Sequence, residues 1–488
     1  MKNHHFSHVD LESAARMVML EHGFEPEFPD GVAAELERLQ TQPPALPVPG
    51  AVKDLRGLLW SSIDNDSSRD LDQIEYAEKL PGGGARVLIA IADVDVYAAR
   101  DTAMDQHAAK ETTSVYTGVR VFPMLPEELS TNITSLLPEQ DRHSIVIEFN
   151  VSDEGMVEGG QVYRALTRNK AKLAYNSTGA WLEGRGEAPH PLAHNSALQG
   201  QLRLQGRTAL ALRAERFRHG ALNIESAETH PVMEGEEIVD VVRQEKNEAT
   251  ELIEDFMVAA NGVVARLLHD VSSIRRVVKT PQRWGRIVEL AGRMGEHLPA
   301  EADPRALNGF LLKRKKADPE RFPDLSLAII KLMGPGEYVL ERPGDPEEGH
   351  FGLAVQDYTH STAPNRRFAD LVTQRLLKAL MDRTPAPYSD DDLGQIAAKC
   401  TLMENMARKV EREMNKRIAA VAMRNRIGEV FPAIATGVNE HGTFVRIARP
   451  HVEGMLVTGH AGIDVGDHLR VRLVSTDVQR GFLDFARV

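Results

Sequence analysis

Five carboxylates crowd the segment SSIDNDSSRDLDQIEY: Asp64, Asp66, Asp70, Asp72 and Glu75. So many like charges repel unless something positive sits among them. If Asp70 and Asp72 lie on one extended stretch, their side chains share a face about 7 Å apart at Cα, and Asp64 can fold back over the intervening turn. An all-oxygen cup of this kind selects Mg²⁺ or Mn²⁺ over zinc, and two such ions about 4 Å apart can activate a water and stabilise the leaving oxygen of a phosphodiester. Two other readings compete. An exposed acidic turn needs no ligand. Asp64, Asp66, Ser68, Asp70, Asp72 and Glu75 also fall on positions 1, 3, 5, 7, 9 and 12 of an EF-hand calcium loop. Against calcium, Arg69 takes the place that needs glycine for the sharp turn, and the flanks read as strand and hairpin rather than helix.

A second chemical signal is the arginine pair in HSTAPNRRF. Arg366 and Arg367 follow Pro364, a good first-turn residue, which puts both at the start of a predicted helix from Arg366 to Met381. The helix dipole disfavours cations there, so a nearby anion would relieve the conflict. An arginine aimed at a scissile phosphate stabilises the charge that builds in the transition state. Read alone, the pair is a solvated helix start.

Six ordered motifs over most of residues 52–488 carry a resemblance: SIDNDSSRDLDQI, IAIADVDVY, FPMLPEELS with SLLP, RNKAKLAY, LIEDFMVAAN, and HFGLAVQDYTHSTAPNRRFADL. The chain resembles the ribonuclease II and ribonuclease R exoribonucleases, built on the RNB catalytic domain. The resemblance implies a magnesium-dependent hydrolase, with Mn²⁺ as the other candidate metal. Such an enzyme degrades single-stranded RNA processively from the 3′ end to nucleoside 5′-monophosphates. Asp64, Asp70 and Asp72 are then metal-site aspartates, with Asp70, Asp72 and Arg366 catalytic and Asp72 the one whose loss abolishes cleavage. Gln73 stands in the place of the fourth aspartate, where its amide offers a metal a carbonyl oxygen but no charge.

The same resemblance implies that Tyr116 holds the terminal nucleotide, a base stacked on its ring gaining about 1–3 kcal/mol whatever the sequence. Tyr175 and Glu254 are implied around the terminal ribose, where contact with a 2′-hydroxyl separates RNA from DNA. Arg367 is implied at the RNA, and Ile224 in GALNI replaces what is often a Phe on the clamp's other side. At the C-terminus, GVNEHGTFVRIARPHVEGMLV resembles an S1-type barrel of the OB class, with Phe444 displayed for stacking and Arg446, Arg470 and Arg472 along the phosphates. The implied partner is the 3′ end of single-stranded RNA, and the implied state a monomer. The rival on this scaffold is a catalytically weak RNA-binding or regulatory protein, its metal site impaired by Gln73.

The elements that must position these residues are legible in outline. Residues 1–40 read as short helices too small for a core of their own, a helix-turn-helix-like piece in place of the cold-shock barrels that the resemblance would imply. Residues 41–50, TQPPALPVPG, read as a stiff linker. Residues 51–427 read as an α+β catalytic domain. It is strand-like to about Asn150, with a PGGG hairpin at 81–84, and then dominated by helices such as Glu248 to Asp270 and Leu393 to Arg426. Residues 428–488 read as a small OB-type barrel.

Composition bounds the rest. The 488 residues are 42% apolar, 26% charged and 5% aromatic, as in folded domains. Cys400 is the only cysteine, which excludes an internal disulfide and a thiolate zinc cluster and fits the cytoplasm. No signal peptide or membrane span is expected, since Val87 to Ala92 is far too short to cross a bilayer. With 58 basic against 71 acidic residues the net charge is −13, so any polyanion must be met by local basic islands such as Lys313–Lys316 and Arg366–Arg367.

Overall fold

The computed structural model describes residues 8–42, 52–225, 229–234, 237–243, 246–319, 321–346, 348–440 and 442–488. Of the predicted linker, Thr41 closes the helix Asp30–Thr41, and residues 43–50 lie outside the described residues.

The site is carried by a curled sheet. Its strands are drawn from β1 (Lys53–Asp54), β2 (Trp60–Asp64), β3 (Gln73–Lys79), β4 (Ala85–Ala92), β5 (Val115–Tyr116), β6 (Val121–Phe122), β7 (Asp141–Val151) and β8 (Val157–Ala174). Six of them run in the order β1-β8-β2-β3-β4-β7, while β5 and β6 form a separate ribbon. The first part of β8 pairs antiparallel with β7 and its end pairs parallel with β2, so the sheet bends back on itself. β4 is the unbroken apolar run ARVLIAIA and lies between β3 and β7, as a strand covered on both faces must. The predicted hairpin at 81–84 joins β3 to β4. Gly84, at φ +71, leaves no room for a side chain, since a Cβ would sit 2.2 Å from the Val151 carbonyl oxygen.

Helices Ser196–Arg218, Glu248–Leu267 and Phe368–Asp382 pack on this sheet. Glu248–Leu267 starts at an Asn247 capping box and buries the stripe Leu252, Phe256, Ala260, Val263 and Val264. Asp390–Met423 starts at a Ser389 capping box and runs the length of a second core, which it shares with the first helix and the C-terminal barrel. The barrel strands Val430–Asn439, Gly442–Ile447, Val452–Thr458, His468–Asp477 and Phe482–Arg487 close in the order first-second-third-fifth-fourth, the third and fifth parallel. The α+β class with a C-terminal OB-type barrel is therefore as expected. The N-terminal helices add their apolar faces to neighbouring cores: Leu11, Val18 and Met19 join the second, Val32 and Leu39 the first.

Three expectations need correction. Helix Ala103–Glu111 interrupts the strand-rich first part, and the 18-residue β8 runs into the region expected to be helical. The inward positions of β8 include Thr167 and Asn169 beside Ala165 and Ala171, so its apolar alternation is faint in sequence. The helix predicted from Arg366 begins at Phe368, because Arg367 is its extended N-cap at φ −137, ψ 123 and Pro364 lies in the turn before it. No helix among the described residues is long and apolar enough to cross a membrane.

Candidate active site

Asp64 ends β2, and Gln73 begins β3. The eight residues between them fold back as a tight loop. Asp64 Oδ1 accepts from the Asn65 N–H at 2.7 Å and from the Ser68 hydroxyl at 2.8 Å, which closes the turn. Ser135 then pins the extended part: its hydroxyl accepts from Leu71 N–H at 3.0 Å and donates to the Arg69 carbonyl at 2.7 Å. Backbone bonds Leu136 N–H to Leu71 O (3.0 Å) and Ala92 N–H to Asp72 O (2.9 Å) complete the clamp. With strands on both sides of this loop, the EF-hand reading is excluded.

Asp72 is driven into the molecule and is only 2% exposed. Its Oδ1 accepts from Asn365 N–H at 3.1 Å, and Oδ2 lies 3.6 Å from Arg366 Nε with no hydrogen-bond partner among the described residues. Asn365 is held in turn by the Thr134 hydroxyl at 2.9 Å. The arginine turn is fixed by Asp370, which accepts from Ala363 N–H at 2.8 Å and grips the Arg367 guanidinium through two bonds of 2.8 and 2.7 Å. The anion expected at this helix start is thus, for Arg367, the first-turn carboxylate of Asp370, and Arg367 is a brace of the turn rather than a free cation. Arg366 keeps 42% of its side-chain surface accessible. Its backbone carbonyl accepts from Ser114 N–H at 3.0 Å, and Phe368 N–H donates to Thr112 O at 2.8 Å, so the segment leading to Tyr116 is stitched to the arginine turn.

Electrostatics join these groups into one place. Burial, reinforced by Asp70 and opposed by Arg366, pushes the Asp72 carboxyl up to about 7. Asp70 is also raised, by burial and then by Asp64. Tyr116 exposes 42% of its surface, yet its hydroxyl is pushed up to about 12 by burial, with Arg366 opposing and Asp70, Asp72 and Asp64 adding to the rise. Part of its surface is therefore open to solvent, while its hydroxyl feels the charges of the acidic loop and of Arg366. Tyr175, the first residue of helix Tyr175–Leu182 just after β8, is raised by burial and then by Asp64 and Glu75. Asp64, Asp70, Asp72, Arg366, Tyr116 and Tyr175 come together from four separate stretches of chain.

Among the described residues, no three carboxylate, imidazole or thiolate groups form a preassembled metal cluster. The donors nevertheless fit a hard divalent cation in type and charge. They are oxygens, Asp72 Oδ2 is buried and unpartnered, and burial disfavours the very ionised forms that a cation would stabilise. Gln73 sits half-buried beside Asp72 at the start of β3.

Two further expected residues lie on other elements, Glu254 on the helix Glu248–Leu267 and Phe444 on the second barrel strand. Glu254 pairs with Lys246 at 2.5 Å and, with Ile224, Asn223 and Arg213, lines a cavity of about 340 Å³ that includes none of the aspartates 64, 70 or 72. Phe444 is half-buried on the outer face of the barrel, between the inward Thr443 and Val445. Of the barrel arginines, Arg470 and Arg472 are exposed, whereas Arg446 is taken by Asp324. Ser135, Asn365 and Asp370 were not picked out by sequence reasoning. The spacing of Asp370, three residues beyond Arg367, was a usable signal; the other two contacts span 64 and 293 positions and leave no local trace.

A family model described as RNB domain matches residues 52–383, and one described as RNase II-type exonuclease C-terminal S1 domain matches residues 429–488. Ribonuclease R of Vibrio cholerae is 30% identical over 452 residues, covering 89% of this chain and 54% of that protein. Ribonuclease R of Escherichia coli is 28% identical over 499 residues, covering 94% and 60%. The chain thus spans between half and two thirds of the length of these relatives. Among solved structures, Mycoplasma genitalium RNase R in complex with ribose methylated single-stranded RNA superposes with a TM-score of 0.85 at 22% identity, over 98% of this chain and 78% of that one. At that identity the likeness speaks for the fold.

Proposed function

The chain belongs to the RNB family, and from that premise we propose that it is a processive 3′-to-5′ hydrolytic exoribonuclease, releasing nucleoside 5′-monophosphates from single-stranded RNA. The observation that carries this reading is the meeting of Asp72 with the arginine turn: a buried carboxylate bonded to Asn365 N–H and 3.6 Å from Arg366, whose side chain keeps 42% of its surface accessible.

Each group has work to do there. The Tyr116 ring stacks the last base without reading its identity, which suits an enzyme that must accept every nucleotide. Tyr175, close to Asp64, borders the terminal ribose, and Arg366 faces the phosphate and stabilises the charge that builds on it during cleavage. Asp64, Asp70 and Asp72, with the Gln73 carbonyl oxygen, would hold Mg²⁺, or Mn²⁺ in its place, which when bound supplies an activated water and neutralises the departing oxygen. Asn365 N–H and Ser135 keep the Asp70–Asp72 stretch at one setting through each round. In this reading residues 51–427 form the catalytic domain, 428–488 an RNA-binding barrel presenting Phe444, and 1–40 a small helical region. A monomer in the reducing cytoplasm suits the lone, buried Cys400.

The test is 5′-labelled poly(A) incubated with the protein and Mg²⁺. Progressive shortening to an end product of a few nucleotides is expected, and intact RNA would point to a binding protein on the same scaffold. Asp72→Asn is expected to hold RNA at parental affinity while cleavage falls on the order of 10²–10³-fold or more, the scale seen when one transition-state contact is lost. Cleavage by Asp72→Asn at the parental rate removes Asp72 from the mechanism.

A further inference from the structure

The arginine turn meets the acidic loop through one hydrogen bond, from Asn365 N–H to Asp72 Oδ1 at 3.1 Å. A single bond is a pivot. The helix Phe368–Asp382 could swing about it and carry Arg366 away from Asp72 unless it is gripped again further along. Gln374 is that second grip, six residues beyond Phe368 and so about 9 Å along the axis. Its side chain is buried, at 2% exposed. Nε2 donates to the Ala92 carbonyl at 2.9 Å, and Oε1 accepts from Asp95 N–H at 3.0 Å. One partner can only accept and the other only donate, so the amide has a single setting. A buried amide costs free energy unless both of its groups are bonded, and here both are.

Ala92 ends β4, and its own N–H donates to the Asp72 carbonyl at 2.9 Å. Asp72, Ala92, Gln374, the helix and Asn365 therefore form a closed ring. The ion pairs beside it grip differently. Arg375 and Lys378 reach the Asp95 carboxylate at 2.7 and 3.1 Å, a side chain free to turn about its own bonds. Gln374 holds main chain, at residues 92 and 95. We propose that Gln374 is a positioning residue for the cleavage step, a role that rests on the nuclease reading and deepens it. It locks the helix to the end of β4 and so fixes the 3.6 Å approach of Arg366 to Asp72.

The experiment compares the parent, Gln374→Met, Gln374→Glu and Leu377→Ala, a control at a buried apolar position of the same helix. Gln374→Met keeps the reach of the side chain and removes both bonds. Gln374→Glu keeps the acceptor for Asp95 N–H and loses the donor to Ala92, so it tests the same strut if the first variant fails to fold. Both are expected to cleave labelled poly(A) with kcat lower on the order of 10–100-fold at unchanged KM, the scale of a reacting group misplaced by about 1 Å. Leu377→Ala is expected to lower the melting temperature and keep kcat. Hydrogen exchange of the RNA-free proteins, read by mass spectrometry, gives a measure independent of activity. The Asn365 N–H, which Gln374 does not touch, is expected to exchange faster in both Gln374 variants. A parental kcat in either folded variant overturns the inference, as does an Asn365 N–H that exchanges at the parental rate. A kcat loss in Leu377→Ala as large as in Gln374→Met also overturns it, by making Gln374 one more contributor to stability. If the parent leaves RNA intact, the nuclease reading fails alone, and faster Asn365 exchange still upholds the grip on the turn. If the parent cuts RNA and Asn365 exchange does not change, this inference fails alone.

Discussion

Tyr116 serves two surroundings with one side chain: it is partly open to solvent, and its hydroxyl feels the charges of Arg366, Asp70 and Asp72. If the ring is what holds RNA, removing the hydroxyl matters little and removing the ring matters much. In an Asp72→Asn background, where RNA stays whole, Tyr116→Ala is expected to weaken oligoribonucleotide binding by about 1–3 kcal/mol in fluorescence anisotropy, and Tyr116→Phe by far less. Equal losses in the two variants would transfer the role from the ring to the oxygen. At this scale the acidic loop was legible because Asp64, Asp70 and Asp72 crowd into nine residues, and mutual repulsion demands a reason. Its setting was not. Asn365 and Ser135 act through a backbone N–H and a hydroxyl brought in from distant chain, and neither residue type announces such a task.

Among the elements, the short helix Ala103–Glu111 ties the N-terminal helices to the sheet. Glu35 Oε2 accepts from Met104 N–H at 2.8 Å, and Glu111 Oε1 accepts from Glu25 N–H at 3.0 Å. Glu111 is 4% exposed, and burial pushes its carboxyl up to about 7, the bond from Glu25 N–H opposing the rise. Because that value lies above the 4.5 of an ordinary glutamate, the folded chain keeps a proton there that the unfolded chain has released. Stability contributed by this group is complete below about pH 4.5 and is lost as pH rises through 7. Glu111→Gln keeps the acceptor oxygen and cannot ionise. Denaturant melts should show the variant matching the parent near pH 4.5 and exceeding it above pH 7 by on the order of 1–2 kcal/mol; parallel curves at all pH values would remove Glu111 as the cause. The Ala103–Glu111 helix went unforeseen inside a strand-rich stretch. Its apolar face is small, Met104 and Ala108, and much of its hold on the fold comes from polar bonds to distant chain.

At the scale of the molecule, the barrel shares a core with its neighbours. Phe431, Val445, Leu473 and Phe485 belong to one apolar cluster with Met403, Val410 and Met414 of the Asp390–Met423 helix and with Leu11 and Val18. A chain ending at residue 427 would leave that cluster open, so it is expected to melt earlier and bind an apolar dye, which confounds any RNA-binding comparison. Phe444→Ala, on the outer face, is the cleaner probe: lower RNA affinity with an unchanged melting temperature is expected, and a drop in melting temperature would return Phe444 to the core. The fold class was readable because strand and helix periods alternate along the chain, and the barrel because its strands are short and separated by turn glycines. That barrel and first helix would fuse through one long helix was not readable, since that helix's inward residues look like those of any amphipathic rod.

The pairing of Asp72 with Asn365 spans 293 positions, and this has an outcome in time as well as space. Translation delivers the acids before the arginines, so a nascent chain carries Asp72 well before the backbone N–H that fixes it. That carboxylate is set only after residue 365 has left the ribosome.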